Sequence, residues 1–207
     1  MINDEYEFKT NDKILKRLVS EENEELLSKR RAKELFDKKI LEEFEVGTFK
    51  GLQDIHKYLF QDIFETAGVV RIHDISKDDT LFCRAIYLEE NLKIVSRMTE
   101  DTFDEIVKKY VEMNMMHPFY EGNGRATRIW LDKILIKNLG VCVEWRNIEK
   151  SDYLSAMKRS LINNLELKHL LKENLTENVD DRDIFMNGIN QSYKYENMRK
   201  YDINDLK

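Results

Sequence analysis

The sequence is short of the residues that interrupt helices and of those that cross-link chains. Its 207 residues include one proline, seven glycines and two cysteines, whereas soluble proteins usually have about 5% proline and about 7% glycine. This scarcity favours a mostly helical soluble protein. The cysteines, Cys83 and Cys142, follow no metal-ligand spacing and are too few for a disulfide framework, which excludes a disulfide-rich secreted class and favours a reducing compartment.

Long apolar runs and an excess of positive charge are also missing. No apolar stretch approaches the roughly 18 residues that a membrane-spanning helix needs, and residues 1–5 lack the basic and apolar regions of a secretory signal. The net charge of −6 gives no electrostatic reason to expect a nucleic acid or an anionic membrane as partner. We therefore expect a cytoplasmic protein with no membrane and no direct nucleic-acid partner.

Hydrophobic periodicity predicts a chain of helices with one interruption. A capping pattern at Ser20 starts a long helix that is predicted to end near Gly47, and the next helix, 52–64, contains His56 as a core histidine. Between Gly68 and Cys83 the period becomes alternating, which predicts a short β-hairpin. Further helices are predicted at 89–96, 101–116, 129–139 (closed by Gly140), from Ser151 onwards and at about 183–199. This pattern indicates an N-terminal helical region (1–46), a central core (47–180) and a C-terminal helix and tail (181–207).

A twelve-residue run, His117 to Arg128 (HPFYEGNGRATR), lies between two of the predicted core helices and contains the proline and two of the glycines. A glycine-rich turn that runs into a helix start points unpaired N–H groups at one spot, where the helix dipole adds positive charge. Arg125 and Arg128 lie on one face of that helix start, where basic side chains are unfavourable unless an anion lies between them. The run therefore predicts a phosphate site.

Two further residues of this run add chemistry to the phosphate site. A carboxylate beside phosphates, here Glu121, usually holds Mg²⁺, and His117 is the side chain best suited to remove a proton near neutral pH. Taken singly, the histidine, the glycine turn and the arginine pair each have an ordinary structural explanation. Together within twelve residues they favour hydroxyl attack on a metal-bound nucleotide phosphate.

The run resembles the signature of the Fic family of nucleotidyltransferases, H-P-F-x-[DE]-G-N-G-R-x-x-R, at every fixed position. The resemblance implies an all-α Fic-fold helical bundle with a small β-hairpin flap over the active site. It also implies transfer of AMP from ATP, with Mg²⁺, to a Tyr, Thr or Ser hydroxyl of a target protein. The implied roles are general base for His117, Mg²⁺ binding for Glu121, the anion hole for Gly122, Asn123, Gly124 and Arg125, and the terminal phosphate for Arg128.

The resemblance extends to two other parts of the core. Ala67-Gly68-x-x-Arg71 and Ile75-Ser76-Lys77 resemble the flap that aligns the target segment by strand addition, and Ser76 and Lys77 would then border the nucleotide. Thr66 stands where the family commonly has tryptophan. Tyr153 matches a position whose ring can lie against the adenine, with plain packing as the alternative.

The last predicted helix resembles the C-terminal inhibitory sequence of class III Fic proteins, [ST]-x-x-x-E-[GN], with Ser192, Glu196 and Asn197 at its fixed positions. The resemblance implies that Glu196 pairs with Arg128 and so blocks the γ-phosphate. Members of this class can modify a tyrosine in this helix, so we hypothesise that Tyr193 is a self-AMPylation site. Members also tend to self-associate, which implies a homo-oligomer.

The residues alone leave other functions open. Glu196 could position a water for removal of AMP, or another phosphate-containing group could be transferred. A nucleotide-sensing regulator with negligible turnover is a third alternative, although a sensor needs the anion hole and not the base His117. Type II topoisomerases are targets of some related bacterial Fic proteins, so a topoisomerase subunit is one candidate partner.

Overall fold

The computed structural model describes residues 15–77 and 80–206, and this part of the chain is mostly helical, as predicted. Its eight α-helices are α1 (Glu21–Asp37), α2 (Phe49–Phe60), α3 (Ala85–Ser96), α4 (Phe103–Met116), α5 (Asn123–Leu139), α6 (Lys150–Arg159), α7 (Leu165–Lys172) and α8 (Arg182–Lys194). Three 3₁₀ turns lie at Ile40–Glu43, Trp145–Asn147 and Ile203–Asp205. None of the helices in the described residues is long and apolar enough to cross a membrane.

Two small antiparallel sheets complete the fold. Strands β1 (Ser76–Lys77) and β2 (Thr80–Leu81) pair with Ser76 opposite Leu81, whereas β3 (Cys142–Val143) and β4 (Leu175–Thr176) pair with Cys142 opposite Thr176. The first pair confirms a hairpin within the predicted range 68–83, but the strands are only two residues long. Residues 78 and 79 of its predicted turn lie outside the described residues.

Helix α5 is the centre of the bundle and is buried on nearly every side. It packs against α4, α2 and α8, and Trp130 at its middle donates a 2.9 Å hydrogen bond from Nε1 to the carbonyl of Thr48. A helix that is apolar all round must lie in the core, so its deep burial follows from the sequence. Because α5 begins at Asn123, the centre of the bundle also fixes the second half of the twelve-residue run.

The first long helix ends ten residues earlier than predicted, at Asp37 rather than near Gly47. Lys39 takes a left-handed conformation, with φ 56°, and a 3₁₀ turn follows. The carbonyls of Leu41 and Phe44 accept hydrogen bonds from Nζ of the buried Lys133, and a regular helix would have used those carbonyls internally. Residues 1–14 of the predicted N-terminal region lie outside the described residues.

The last helix also ends early, at Lys194 rather than Arg199. Asn197 takes a left-handed conformation, with φ 64°, and the amide of Met198 donates back to the carbonyl of Tyr193 at 3.1 Å. The chain then returns along α1, where Lys29 Nζ donates to the carbonyl of Tyr201 at 2.5 Å. Glu196 therefore lies in a turn after the helix, and not on the helix.

Most of the predicted hairpin region, from Val69 to Ile75, forms no strand. The buried guanidinium of Arg71 organises this segment in place of a sheet ladder. It donates to the carbonyls of His73 (2.7 Å), Cys83, Met116 (3.1 Å) and His117 (2.7 Å). Five N–H donors in a rigid fork suit one arginine to several carbonyls, so Arg71 joins the base of the flap, residues 68–83, to the end of α4.

Candidate active site

The loop between α4 and α5 is held in shape by its own side chains. Asn123 accepts a 2.9 Å hydrogen bond from the amide of Phe119 and donates one of 2.7 Å to the carbonyl of the same residue. Gly122 has φ 76°, and a Cβ there would lie 2.5 Å from the ring of Phe60. The side chain of Asn123 thus braces the loop, which leaves its backbone N–H as the group available to the predicted anion site.

The backbone N–H groups of Asn123, Gly124 and Arg125 at the start of α5 form the predicted anion site, which we call the anion cradle. Such groups have no partner within their own helix. The carboxylate of Glu196 lies against this turn, because a Cβ on Gly124 would stand 3.3 Å from its Oε1 and 3.1 Å from Arg128 Nη1. Glycine at this position lets an anion approach the helix backbone closely.

Arg125 is almost fully enclosed, with 1% of its side chain exposed. Its Nε lies 2.8 Å from Glu196 Oε2, and its Nη2 lies 2.8 Å from Glu24 Oε1 and 3.4 Å from Glu121 Oε1. In the first two contacts the atoms are close enough for an ion pair, but the N–H···O angles do not meet the criterion for a hydrogen bond. Burial alone would lower the pKa of Arg125, but the charge of Glu196 and the other neighbouring anions raises it.

No feature of the sequence predicts Glu24 as a residue of this site. It lies in the first turn of α1, where an acidic residue is ordinarily explained by the helix dipole, and it is about 100 positions away from its partner. The structure brings it to the cradle because α1 packs against α2 and α8.

Arg128 is held mainly by Ser192. Its Nε donates to Ser192 Oγ at 2.7 Å and its Nη2 to the Ser192 carbonyl at 3.1 Å. The ion pair implied by the family resemblance is present but longer, with 3.6 Å between Nη2 and Glu196 Oε1. Glu196 therefore lies closer to Arg125 than to Arg128, and the turn after α8 contacts both arginines.

His117 ends α4 in a left-handed conformation, with φ 44°, and its ring stacks on Phe82 of the flap at 3.8 Å between centroids. Ser76 and Lys77, the other predicted flap residues, form β1 of the same hairpin. Burial, with a smaller contribution from the positive charges of Lys77 and Arg71, lowers the pKa of His117 to about 3. The imidazole is therefore neutral at neutral pH, which is the form that can accept a proton.

Glu121 is the most accessible of the three carboxylates around Arg125, with 38% of its side chain exposed against 19% for Glu196 and 3% for Glu24. Its Oε1 accepts a 3.1 Å hydrogen bond from the amide of Gly122. Partial burial raises its pKa, against the opposing charge of Arg125, and the charge of Glu196 adds to the rise. The described residues contain no group of three or more His, Cys, Asp or Glu side chains arranged for a metal ion. A single carboxylate fits Mg²⁺ at a phosphate site, because the phosphates and waters supply its other ligands.

His56 is a core histidine, as predicted, with 2% exposure. Its Nδ1 accepts a 2.9 Å hydrogen bond from the amide of Gly68, so the proton lies on Nε2, which donates to the carbonyl of Glu121 at 2.8 Å. This one ring thereby connects the flap base to the active-site loop.

Two tyrosines of the predicted site are buried in this conformation. Tyr153 stacks on Tyr195, with ring centroids 4.8 Å apart and planes within 13°. Its hydroxyl lies 2.5 Å from that of Tyr110. Contact of Tyr153 with an adenine stays a prediction, and it requires Tyr195 to leave that face.

Tyr193 is 1% exposed, and burial raises its pKa to about 12. Its hydroxyl is buried without a hydrogen-bond partner of good geometry, and its ring lies 5.3 Å from the guanidinium carbon of Arg125. Any modification of Tyr193 requires the end of α8 to move away from the bundle.

Asn197, the last predicted regulatory residue, accepts a 2.6 Å hydrogen bond from Lys150 Nζ.

Comparison with known proteins identifies the family. The model of the Fic/DOC family matches residues 48–135. The "Probable protein adenylyltransferase Fic" of Salmonella typhimurium is 30% identical over 59% of this chain and 67% of its own length. The chain belongs to the Fic/DOC family. The proteins named "Probable protein adenylyltransferase Fic" from Escherichia coli and "Protein adenylyltransferase VbhT" from Bartonella schoenbuchensis are 32% and 31% identical, over 55% and 68% of this chain. The matches span 62% and 32% of the length of those two relatives.

Solved structures agree on the fold. The N-terminal Fic domain of a Bartonella effector protein is similar with a TM-score of 0.65 and 21% identity, over 76% of this chain and 84% of that one. The BepC protein of Bartonella tribocorum, solved with bound AMPPNP, gives a TM-score of 0.60 and 19% identity, over 75% and 85% of the two chains. At such identities the similarity establishes the Fic fold, and the predicted all-α bundle with a small hairpin is confirmed.

Proposed function

We propose that this Fic protein is an adenylyltransferase that moves AMP from Mg·ATP to a Tyr, Thr or Ser hydroxyl of a target protein. The observation that carries the proposal is one loop that begins at the neutral His117 and ends at a helix start lined by Arg125 and Arg128. A base, an anion site and two guanidinium groups are the parts that nucleotidyl transfer needs. The names of the curated relatives support this reaction over the alternatives.

In the proposed reaction His117 takes the proton from the acceptor hydroxyl. The freed oxygen attacks the α-phosphorus, the bond from that phosphorus to the bridging oxygen breaks, and pyrophosphate leaves with the electron pair. Incoming phosphates are opposite in charge to Lys77 and Arg71, so they raise the pKa of His117 from its low value and make it a better base.

Each remaining residue of the loop has a distinct proposed part. The anion cradle and Arg125 bind phosphate oxygens, and Arg128 binds the terminal phosphate. Glu121, with its accessible carboxylate, would hold Mg²⁺, which neutralises phosphate charge when bound. Ser76 and Lys77 border the nucleotide from the flap, which aligns the acceptor segment.

We further propose that the turn after α8 is an internal inhibitor. A guanidinium can make its forked contact with a carboxylate or with a phosphate, but not with both at once. Glu196 already contacts Arg125 and Arg128, and Ser192 occupies the Nε of Arg128. A bias of a few kcal/mol toward this docked form leaves between roughly 0.1 and 10% of molecules open, which a partner can change.

The proposed partners follow from this reaction and from the family. They are a target protein with a hydroxyl side chain, of which a type II topoisomerase subunit is one candidate, and further copies of this chain in a homo-oligomer. The proposed location is the cytoplasm, and Tyr193 is the proposed site of self-modification once it is undocked.

The test is label transfer in a cell lysate from α-³²P-ATP and, in parallel, from γ-³²P-ATP, with Glu196→Gly and Glu196→Gly/His117→Ala proteins. AMP transfer predicts labelled protein from the α-label only, and its loss in the double variant. Label from γ-³²P-ATP would assign phosphoryl transfer instead, and no label from either, with ATP bound, would favour a nucleotide sensor.

A further inference from the structure

Arg125 has a carboxylate partner that does not belong to the turn after α8. We call that turn, residues 195–197, the inhibitory turn. Glu24 Oε1 lies 2.8 Å from Arg125 Nη2, and both side chains are almost fully enclosed, at 3% and 1% exposure. The second oxygen of Glu24 contacts Arg17 Nη1. The family match begins at residue 48, so the motif that it describes does not include this carboxylate.

The three carboxylates around Arg125 differ in how they are attached. Glu196 lies in the turn after α8, which the proposed function requires to leave before ATP binds productively. Glu121 lies in the active-site loop, with a longer contact of 3.4 Å. Glu24 lies on α1, which packs on α2 as well as on α8, so its position does not depend on the turn alone. Of the two short contacts, that of Glu24 is the one made from outside the turn.

We propose that Glu24 is a positioning residue that holds the guanidinium of Arg125 toward the anion cradle in the inhibited and the active state. This inference rests on the proposed function. The physical reason is that an unrestrained arginine side chain must lose considerable rotamer freedom each time it binds. With Glu24 on Nη2, and the ring of Phe60 4.7 Å from the guanidinium carbon, that freedom is already removed before the phosphates arrive.

Charge alone predicts the opposite change in ATP affinity, so the direction of the change distinguishes the two explanations. Removal of a carboxylate from the site makes it more positive, so Coulomb attraction alone would tighten ATP binding. If Glu24 positions Arg125, its neutralisation weakens ATP binding despite the added positive potential. The two explanations differ in direction and not only in size.

The experiment measures steady-state self-labelling and the Kd for ATP in the Glu196→Gly background, with and without Glu24→Gln. We expect a rise in KM and in Kd of about tenfold, the size of one buried charged contact, with kcat reduced less. A purely structural role would lower the fraction of folded enzyme and therefore kcat, while KM and Kd stayed unchanged. An unchanged or lower KM would overturn the proposal.

Glu25→Gln is the matched control. Glu25 is the next residue of α1, similarly buried, and it binds Lys29 and the amides of Lys200 and Tyr201 rather than Arg125. In the Glu196→Gly background we expect its KM and Kd to stay near those of the parent. An equal rise in both variants would show a general effect of α1 and would overturn the specific role of Glu24.

A double-mutant cycle separates positioning from an independent effect. Arg125→Lys removes the fork that Glu24 orients, so Glu24→Gln should add little to the Kd of that variant; additive effects would contradict the proposal. If Glu196→Gly transfers no AMP at all, the proposed function fails. The Glu24 proposal is then decided by the ATP Kd alone, which must still rise in Glu24→Gln and not in Glu25→Gln.

Discussion

The hydroxyl of Ser192 accepts a 2.7 Å hydrogen bond from Nε of Arg128, and neither residue is more than 4% exposed. Arg128 is therefore engaged by the end of α8 even without Glu196. The proposed inhibition then has two parts, a serine on one arginine and a glutamate that lies closer to the other.

Ser192→Ala should release part of this inhibition. A hydrogen bond to a charged group is worth about 1.5 to 3 kcal/mol, and the Ser192 carbonyl still accepts from Arg128, so we expect about a tenfold rise in self-labelling. The rise should stay below that of Glu196→Gly. Ser155→Ala, on the exposed face of α6, is the control and should match wild type. A Ser192→Ala protein as inactive as wild type would mean that Glu196 alone inhibits.

Tyr193 should acquire AMP only in a protein whose inhibitory turn has been weakened. Its hydroxyl is buried, so wild type in its docked form cannot present it to His117. We expect mass spectrometry to find AMP on the Tyr193 peptide of Glu196→Gly after incubation with Mg·ATP at low protein concentration. Tyr193→Phe should remove that modification and Tyr195→Phe should keep it. An unmodified Tyr193 peptide in Glu196→Gly would refute the hypothesis.

His56 should make the protein less stable in acid. Burial lowers its pKa to about 3 from the ordinary value of 6.5. Below pH 6.5 the unfolded chain therefore binds a proton that the folded chain refuses, and stability falls as pH falls. Between pH 7 and 5 this amounts to about 2 kcal/mol.

Urea unfolding at several pH values measures the effect of His56. His56→Leu should lower stability at pH 7, because two hydrogen bonds are lost, but should flatten its pH dependence by about that amount. His169→Gln, at an exposed histidine, is the control for replacement of a histidine and should leave stability at pH 7 close to that of wild type. An unchanged slope in His56→Leu would mean that His56 is not the group responsible.

Alanine substitutions at Gly122 and Gly140 distinguish the cost of backbone strain from the cost of a steric clash. Both have left-handed backbones, with φ 76° and 68°, but a Cβ meets the Phe60 ring at 2.5 Å only at Gly122 and open space at Gly140. We expect Gly140→Ala to cost about 1 kcal/mol of stability and Gly122→Ala about 1 to 3 kcal/mol more, because Phe60 must shift. Equal losses in urea unfolding would contradict the steric argument.

Sequence reasoning located the centre of the site because His117 to Arg128 is a local motif. The position of the loop follows from one proline, two glycines and the buried helix after them. The helical periodicity predicts most of the helices of the bundle. The same local logic identified His56 as a core residue. These features depend on neighbours in the chain, which a single sequence displays.

The two helix ends that were predicted wrongly, and the omission of Glu24 from the site, all arise from contacts between residues far apart in the chain. The first helix stops at Asp37 where Lys133, about 90 residues later, takes the carbonyls of Leu41 and Phe44. The last helix stops at Lys194 because the tail returns to α1. Glu24 joins Arg125 from a different helix, and no spacing in the chain marks that pair.

The most direct test of the central claim is the intact mass of purified Glu196→Gly after incubation with Mg·ATP, beside wild type and Glu196→Gly/His117→Ala. The account predicts a mass gain of one or more AMP groups in Glu196→Gly, much less in wild type and none in the double variant. Equal gains with and without His117 would show that the histidine is not the base. No gain in any of them, in a lysate as well as alone, would show that this site does not transfer AMP.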